Sequence, residues 1–320
     1  MTYLLFLLGF GLLILGADWL VKGASSMARK LSISELVIGL TIVAFGTSTP
    51  ELVVSVTASI RQAPELAIAN VVGSNIFNIF IIIGIAAMIR PVPVLASTVW
   101  KEIPFSLLSA IILLVLSLDL VLDGQGPNTL GRTDGLVLLA FFLIFLVYSF
   151  DLARKGEIQP DHDVPAQVFP VWKSVLFFMG GLGLLVLGGR WVVNGASAIG
   201  LLLGMSQAMI GLTIVAAGTS LPELVTSAMA AYRNKPEIAI GNAIGSNIYN
   251  IFFILGTSAT IHPLPYDTAQ MSDTLVMMAA YILLFLLVIL GRHFRTVTRW
   301  EGAAMVAAYI GFITVSAILR

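Results

Sequence analysis

No cysteine occurs anywhere in the 320 residues, which excludes disulfides, thiolate metal sites and cysteine nucleophiles. Histidine is almost as scarce. The three present, His162, His262 and His293, fall in loops or at the ends of apolar runs, so no imidazole is available inside those runs for a metalloenzyme centre. Charge is sparse too: Asp, Glu, Lys and Arg make up 11% of the chain, against about a quarter in a soluble domain. Acids and bases balance at 17 each, so bulk charge points to no nucleic-acid partner. What is there is 58% hydrophobic with a mean hydropathy of +0.99, the composition of a polytopic membrane protein.

Apolar runs long enough to cross about 30 Å of hydrocarbon fall near 2–25, 33–60, 64–88, 102–122, 134–151, 170–192, 205–231, 236–260, 271–291 and 301–319. They are continuous rather than alternating, so they read as helices, whose backbone polar groups are satisfied internally. The expectation is an all-α membrane protein of ten transmembrane helices. The first run begins at once, without a basic leader, and reads as a retained helix rather than a cleaved signal peptide. With the N-terminus outside, 13 of the 17 Lys and Arg fall in or beside the odd-numbered loops. The positive-inside rule then puts both termini outside the cell membrane. The one clear polar linker, "ARKGEIQPDHDVPAQ" (153–167), is then cytoplasmic and too short for a folded domain.

The chain is written twice. "GLTIVAFGTSTPELVVS" begins at Gly39 and "GLTIVAAGTSLPELVTS" at Gly211, an offset of 172. The same offset joins Asn70 to Asn242, "VVGSNIFNIF" (71–80) to "AIGSNIYNIF" (243–252), and "GADWLVKGAS" (16–25) to "GGRWVVNGAS" (188–197). A weaker echo, "RTDG" (132–135) and "RWEG" (299–302), stands at offset 167. Five spans per half is an odd number, so the second half enters the membrane from the opposite side. That predicts two inverted-topology repeats, 1–151 and 170–320, joined by a linker at 152–169. This plan is typical of secondary transporters.

The best-matched residues are polar. Pro50 and Pro222 lack an N–H and clash with the carbonyls of Gly46 and Gly218, so helices 2 and 7 should be broken, freeing carbonyls near Ala44–Gly46 and Ala216–Gly218. Thr47 and Glu51 are four apart and should share a helix face, as should Thr219 and Glu223. Ser48 and Ser220 sit at the breaks. In the following helices Ser74 and Asn78, and Ser246 and Asn250, repeat the four-residue spacing. All these groups offer oxygen. A carboxylate at the bilayer centre costs roughly 2.5–3.5 kcal/mol, and two of them about 5 Å apart repel by about 3 kcal/mol at an effective dielectric of 20. Cations between them would offset both costs, and an all-oxygen set suits hard ions such as Ca²⁺ and Na⁺. Asp18, Asp119 and Arg190 are expected near helix ends in snorkelling or interfacial pairs, and some glycines, as in "GASSMARK", could serve close helix packing.

"GTSTPE" and "GTSLPE", each followed by "GSNIxN", resemble the two alpha-repeats of sodium/calcium exchangers, in the cation/calcium antiporter superfamily. The resemblance implies ten helices with the second, third, seventh and eighth as an ion-binding core. The first and sixth would be long tilted gating helices that slide across it. It implies Glu51 and Glu223 as central ligands for Ca²⁺ and Na⁺, with Thr47 and Thr219 adding oxygens to the calcium site. The carbonyls of Ala44 and Ala216, with Ser48, Ser74, Ser220 and Ser246, would build flanking sodium sites, and Asn78 and Asn250 would line the middle. The family usually exchanges three Na⁺ for one Ca²⁺, which moves charge. Thr49 departs from the family's usual Leu. Asn250 stands where some relatives carry an acid, which argues against potassium co-transport. Without calcium-sensor domains the chain resembles a small microbial form.

The expected activity is therefore antiport by alternating access, not enzymatic catalysis. Partners are calcium and sodium ions and the lipid bilayer; no protein partner and no cofactor are expected, since the ions bind as substrates. Sodium and calcium would compete for the two carboxylates. An empty pair would be costly in a dry passage, which blocks uncoupled leak. Protons should compete as well, so acid should inhibit. The alternative on the same fold is a proton/calcium, or other divalent cation, antiporter. Relatives of that kind usually carry an acid- and His-containing motif that is absent here.

Overall fold

The computed structural model describes residues 2–61, 63–122, 124, 127–155, 169–204 and 216–319. Helices α1 (Thr2–Leu31), α2 (Glu35–Thr47), α3 (Thr49–Ile60), α4 (Glu65–Ile89), α5 (Thr98–Leu116) and α6 (Arg132–Arg154) come from the first half. From the second come α7 (Val171–Leu202), α8 (Ala216–Thr219), α9 (Leu221–Tyr232), α10 (Pro236–Ile261), α11 (Thr268–Leu290) and α12 (Arg299–Leu319). Seven described helices, α1, α4, α5, α6, α7, α10 and α11, are each long and apolar enough to cross a membrane, and the bent pair α2–α3 makes an eighth if it is one span. The expected seventh span, 205–231, includes 205–215, which lie outside the described residues; its described part is α8 and α9. The expected tenth span is the 21-residue helix α12. Most of the expected linker also lies outside the described residues.

Burial separates centre from rim. The apolar window of α10 is 94% buried and that of α4 72%, whereas α6 buries 17% and α7 28%. A helix apolar all round and buried is a core helix; one that leaves its apolar face uncovered meets lipid. At 30 and 32 residues, α1 and α7 are about 45 Å long at 1.5 Å per residue. That exceeds the hydrocarbon thickness, so they tilt or protrude.

Glycines fix how the helices cross. A Cβ on Gly16 would lie 2.8 Å from the Gly181 carbonyl, one on Gly9 would lie 2.9 Å from that of Gly188, and one on Gly23 would lie 2.7 Å from that of Ser174. Spaced by seven on both helices and running in opposite directions, these contacts join α1 to α7 backbone against backbone, the small-residue packing that membranes favour. Two more crossings tie the halves together. Gly135 on α6 meets the carbonyl of Gly256 on α10, and Gly302 on α12 meets that of Gly84 on α4. These two pairs are related by the sequence repeat, and they account for the weak "RTDG"/"RWEG" echo. The acids of the same motifs reach back to cap their helices: Asp134 accepts from the Gly131 N–H at 2.7 Å and Glu301 from the Thr298 N–H at 2.7 Å.

Two short ribbons obey the same symmetry. β1 (Val92–Pro93) pairs antiparallel with β4 (Thr296–Val297), and β2 (Thr129–Leu130) with β3 (Leu264–Pro265). Near the β1–β4 ribbon, contacts join residues in or beside the first, third, seventh and ninth loops. Lys235 pairs with Glu35 at 2.8 Å, Arg299 donates to the Ile89 carbonyl at 3.2 Å, and Arg90 donates to Asn234. Three of the basic residues that the sequence assigns to one side, Arg90, Lys235 and Arg299, thus lie in contacts between these loops. Asp18 departs from expectation. It lies well inside α1, not near its end, paired with Lys22 at 2.6 Å and with Arg233 at the end of α9. Arg190 likewise lies inside α7, exposed. Asp119, near a helix end as expected, accepts from the Thr129 N–H at 2.9 Å.

Candidate cation site

Pro50 and Pro222 do interrupt their helices, each sitting in the first turn of a new one. The break between α2 and α3 falls at Ser48, with a bend of 46°. A five-residue π-helical stretch, Gly39–Val43, precedes it. The Ala44 carbonyl is not freed as expected, because it accepts the Ser48 N–H at 3.0 Å before the chain turns. Its second lone pair faces the Thr47 hydroxyl at 3.4 Å. The bend leaves Thr47 at the end of α2 and Glu51 in the first turn of α3, both buried. Ala216 opens α8.

The break brings the halves together reciprocally. The Ser48 hydroxyl donates to Glu223 Oε1 at 2.9 Å, and the Ser220 hydroxyl donates to Glu51 Oε1 at 2.9 Å. Ser220 also lies 3.0 Å from the Ser74 hydroxyl. Each glutamate is thus held by the serine at the other repeat's break, and both are 1% exposed. Each keeps its second oxygen, Oε2, without a protein hydrogen-bond partner. A buried carboxylate oxygen left unpaired is costly, and the two side chains repel each other's charge. A cation against those oxygens would offset both costs, so the residues present fit hard-cation cargo.

A second tier holds the first in place. The Asn70 amide donates to the Glu51 carbonyl at 3.4 Å and to Ser55 at 3.0 Å, and its Oδ1 faces Thr219 of the other repeat at 3.4 Å. Asn242 does the same for Glu223 at 3.3 Å, Ser227 at 3.0 Å and Thr47 at 3.0 Å. These two asparagines were not among the expected ligands, although the repeat had paired them by position. Asn78 and Asn250, expected in the middle, join a further amide cluster. Asn78 donates to Asn247 Oδ1 and Asn250 to Asn75 Oδ1, both at 2.9 Å, while their own Oδ1 atoms remain without partners. Both open or sit within π-helical segments of α4 and α10. Ser246 is fully buried, its hydroxyl also unpartnered. Among the described residues the structure therefore unites Glu51, Glu223, Ser48, Ser74 and Ser220 directly. Thr47 also lies against Glu223 and Thr219 against Glu51, besides bonding Asn242 and Asn70.

The hollow beside Ser48, walled by Phe45, Leu52, Tyr249 and Phe253, has no room for a water molecule. Every expected side chain described at the site is no more than 8% exposed, so the carboxylate pair is buried.

Sequence comparison extends this picture. CaxA of Alkalimonas amylolytica is 39% identical over 315 residues, 96% of this chain and 95% of its own. The sodium/calcium exchanger MaX1 of Methanosarcina acetivorans is 33% identical, with 98% of each chain covered. A solved structure of the sodium-calcium exchanger NCX_Mj, soaked with Na⁺ and Sr²⁺, superposes with a TM-score of 0.82 at 36% identity, covering 98% of this chain and 97% of that one. Fold, site and relatives together define a cation/calcium antiporter of the multi-pass membrane class. The chain belongs to the sodium/calcium exchanger family, whose model matches residues 1–150 and 173–318.

Proposed function

We propose that this protein exchanges sodium for calcium across the cell membrane by alternating access, moving net charge, with Glu51 and Glu223 as the central ligands. The observation that carries the reading is the reciprocal clasp: two buried glutamates, one from each repeat, each bonded by the other repeat's serine and each with a free oxygen. Ca²⁺ or Na⁺ would bind between those oxygens. Ser48, Ser74, Ser220, Ser246 and the carbonyls of Ala216 and of Ala44, the latter in place of its 3.4 Å contact with Thr47, would complete the flanking sodium positions, Thr47 and Thr219 the calcium position, and Asn78 and Asn250 the middle. The repeats 1–151 and 170–320 supply the two halves of ten spans, with linker 152–169 and the basic loops in the cytoplasm and both termini outside.

Because the site is buried in this structure, ions reach it only if helices move. The α1–α7 pair, joined through glycine contacts, is the body that would slide. Two carboxylates with no cation between them resist that movement, since nothing offsets their charge in a dry passage. Coupling follows: the slide occurs with sodium or with calcium aboard.

Radiocalcium uptake into sodium-loaded proteoliposomes tests the reading. Uptake should require an outward sodium gradient and should vanish in Glu51→Gln and Glu223→Gln. Uptake indifferent to sodium and driven by a pH gradient would replace it with the proton-coupled alternative.

A further inference from the structure

The repeat that makes the carboxylate site symmetric fails at one charged contact between the sliding pair and the core. Asp18 on α1 pairs with Arg233, the residue that ends α9, and is also held by Lys22 at 2.6 Å. The Asp18 side chain is 14% exposed, whereas Arg233 is 45% and Lys22 42% exposed, so the contact is partly open to solvent. At offset 172 the counterparts of Asp18, Lys22 and Arg233 are Arg190, Asn194 and Arg61. The acid has become an arginine, and its partner is still an arginine.

Packing is unequal in the same sense. Among the described residues α1 lies along α9, whereas the symmetry-related pair, α7 and α3, has no comparable contact. In an inverted repeat the opposite-facing state is reached when the two halves exchange their arrangements. α7 would then lie along α3, bringing Arg190 toward Arg61. One orientation has an ion pair at this point; the other has two like charges.

We propose that Asp18 and Arg233 are positioning residues that latch α1 to the core and bias the protein toward the orientation seen here, with no equivalent latch for the opposite one. The inference rests on the alternating-access reading. Its consequence is functional asymmetry: the two directions of exchange should differ in apparent ion affinity, because one orientation must break the latch before it forms. Neither residue touches the carboxylate site, so the effect lies in the balance of orientations, not in ligation.

The chain has no cysteine of its own, so paired spin labels can be placed without background. Cysteines at Leu15 on α1 and Leu66 on α4, both exposed, report the distance between the sliding pair and the core in the full-length protein in nanodiscs. Two distance populations are expected, with a ratio that Na⁺ and Ca²⁺ change. Asp18→Asn or Arg233→Gln should lower the ratio favouring the present arrangement about two- to fivefold, the range for a partly exposed ion pair. Arg190→Asp should do the reverse of a loss: it gives Arg61 a partner and enriches the opposite arrangement, an enrichment that Arg61→Gln then removes. This second variant keeps the test decisive even where a change at Asp18 harms folding. Two populations whose ratio is unmoved by Asp18→Asn and Arg190→Asp would overturn the latch and leave alternating access standing. A single population in every variant and every ion would overturn alternating access, and the latch with it.

Discussion

Asn70 and Asn242 show how single residues hold the candidate site. Each amide ties its own glutamate's backbone to a serine and receives a threonine from the other repeat. Asn242→Ala removes three buried hydrogen bonds, while Thr47 keeps Val43 and Ser227 keeps Ala239, and a hydrogen bond of this kind contributes about 0.5–1.5 kcal/mol. A lower melting temperature together with weaker calcium binding is the expected outcome, read by thermal unfolding with and without Ca²⁺; unchanged calcium binding would deny the residue a positioning role. Glu51→Gln and Glu223→Gln should each weaken calcium binding at least tenfold, about 1.4 kcal/mol, since each removes one of only two formal charges. The glutamates and serines could be read from the sequence because the repeat prints them twice. The roles of the asparagines could not, because the Thr47–Asn242 bond joins residues 195 apart, and spacing along one helix says nothing about a partner on another.

At the scale of elements, proline and glycine decide the geometry. The break was legible from Pro50, and Ser48 stands at it, but the hydrogen bonding around it was not. A proline forbids one hydrogen bond and one conformation upstream without saying which carbonyl the chain re-satisfies before turning. Here Ala44 takes the Ser48 N–H before the chain bends at Ser48. The faint "RTDG"/"RWEG" echo gained its meaning only in three dimensions, as a helix cap followed by a glycine crossing. The α1–α7 seam yields a prediction of its own. Gly16→Val would drive a side chain onto the Gly181 carbonyl and the Leu185 amide, both backbone atoms less than 3.0 Å from an added Cβ. Overpacking of this kind costs about 1–3 kcal/mol. A lower unfolding temperature and lost transport are expected, whereas Gly11→Ala, with open space around it, should leave both unchanged.

For the whole molecule, the membrane class and the inverted repeat were readable from hydropathy and offset. The relation between the sliding pair and the core was not, because it is a property of one orientation and both halves share one pattern. Proposed exchange through a shared carboxylate pair carries a pH consequence. Protons occupy the same oxygens as the ions, so calcium uptake should fall as the medium is acidified; a rate constant down to about pH 5, close to where ordinary carboxylates begin to protonate, would contradict it. The central claim is that sodium and calcium contend for one site between Glu51 and Glu223. Calcium binding to the purified protein, titrated at a series of sodium concentrations, tests it most directly. Apparent calcium affinity should fall steeply with sodium, and should drop at least tenfold in Glu51→Gln and in Glu223→Gln. Calcium binding that ignores sodium, or that is as tight in both variants as in the parent protein, would contradict the claim.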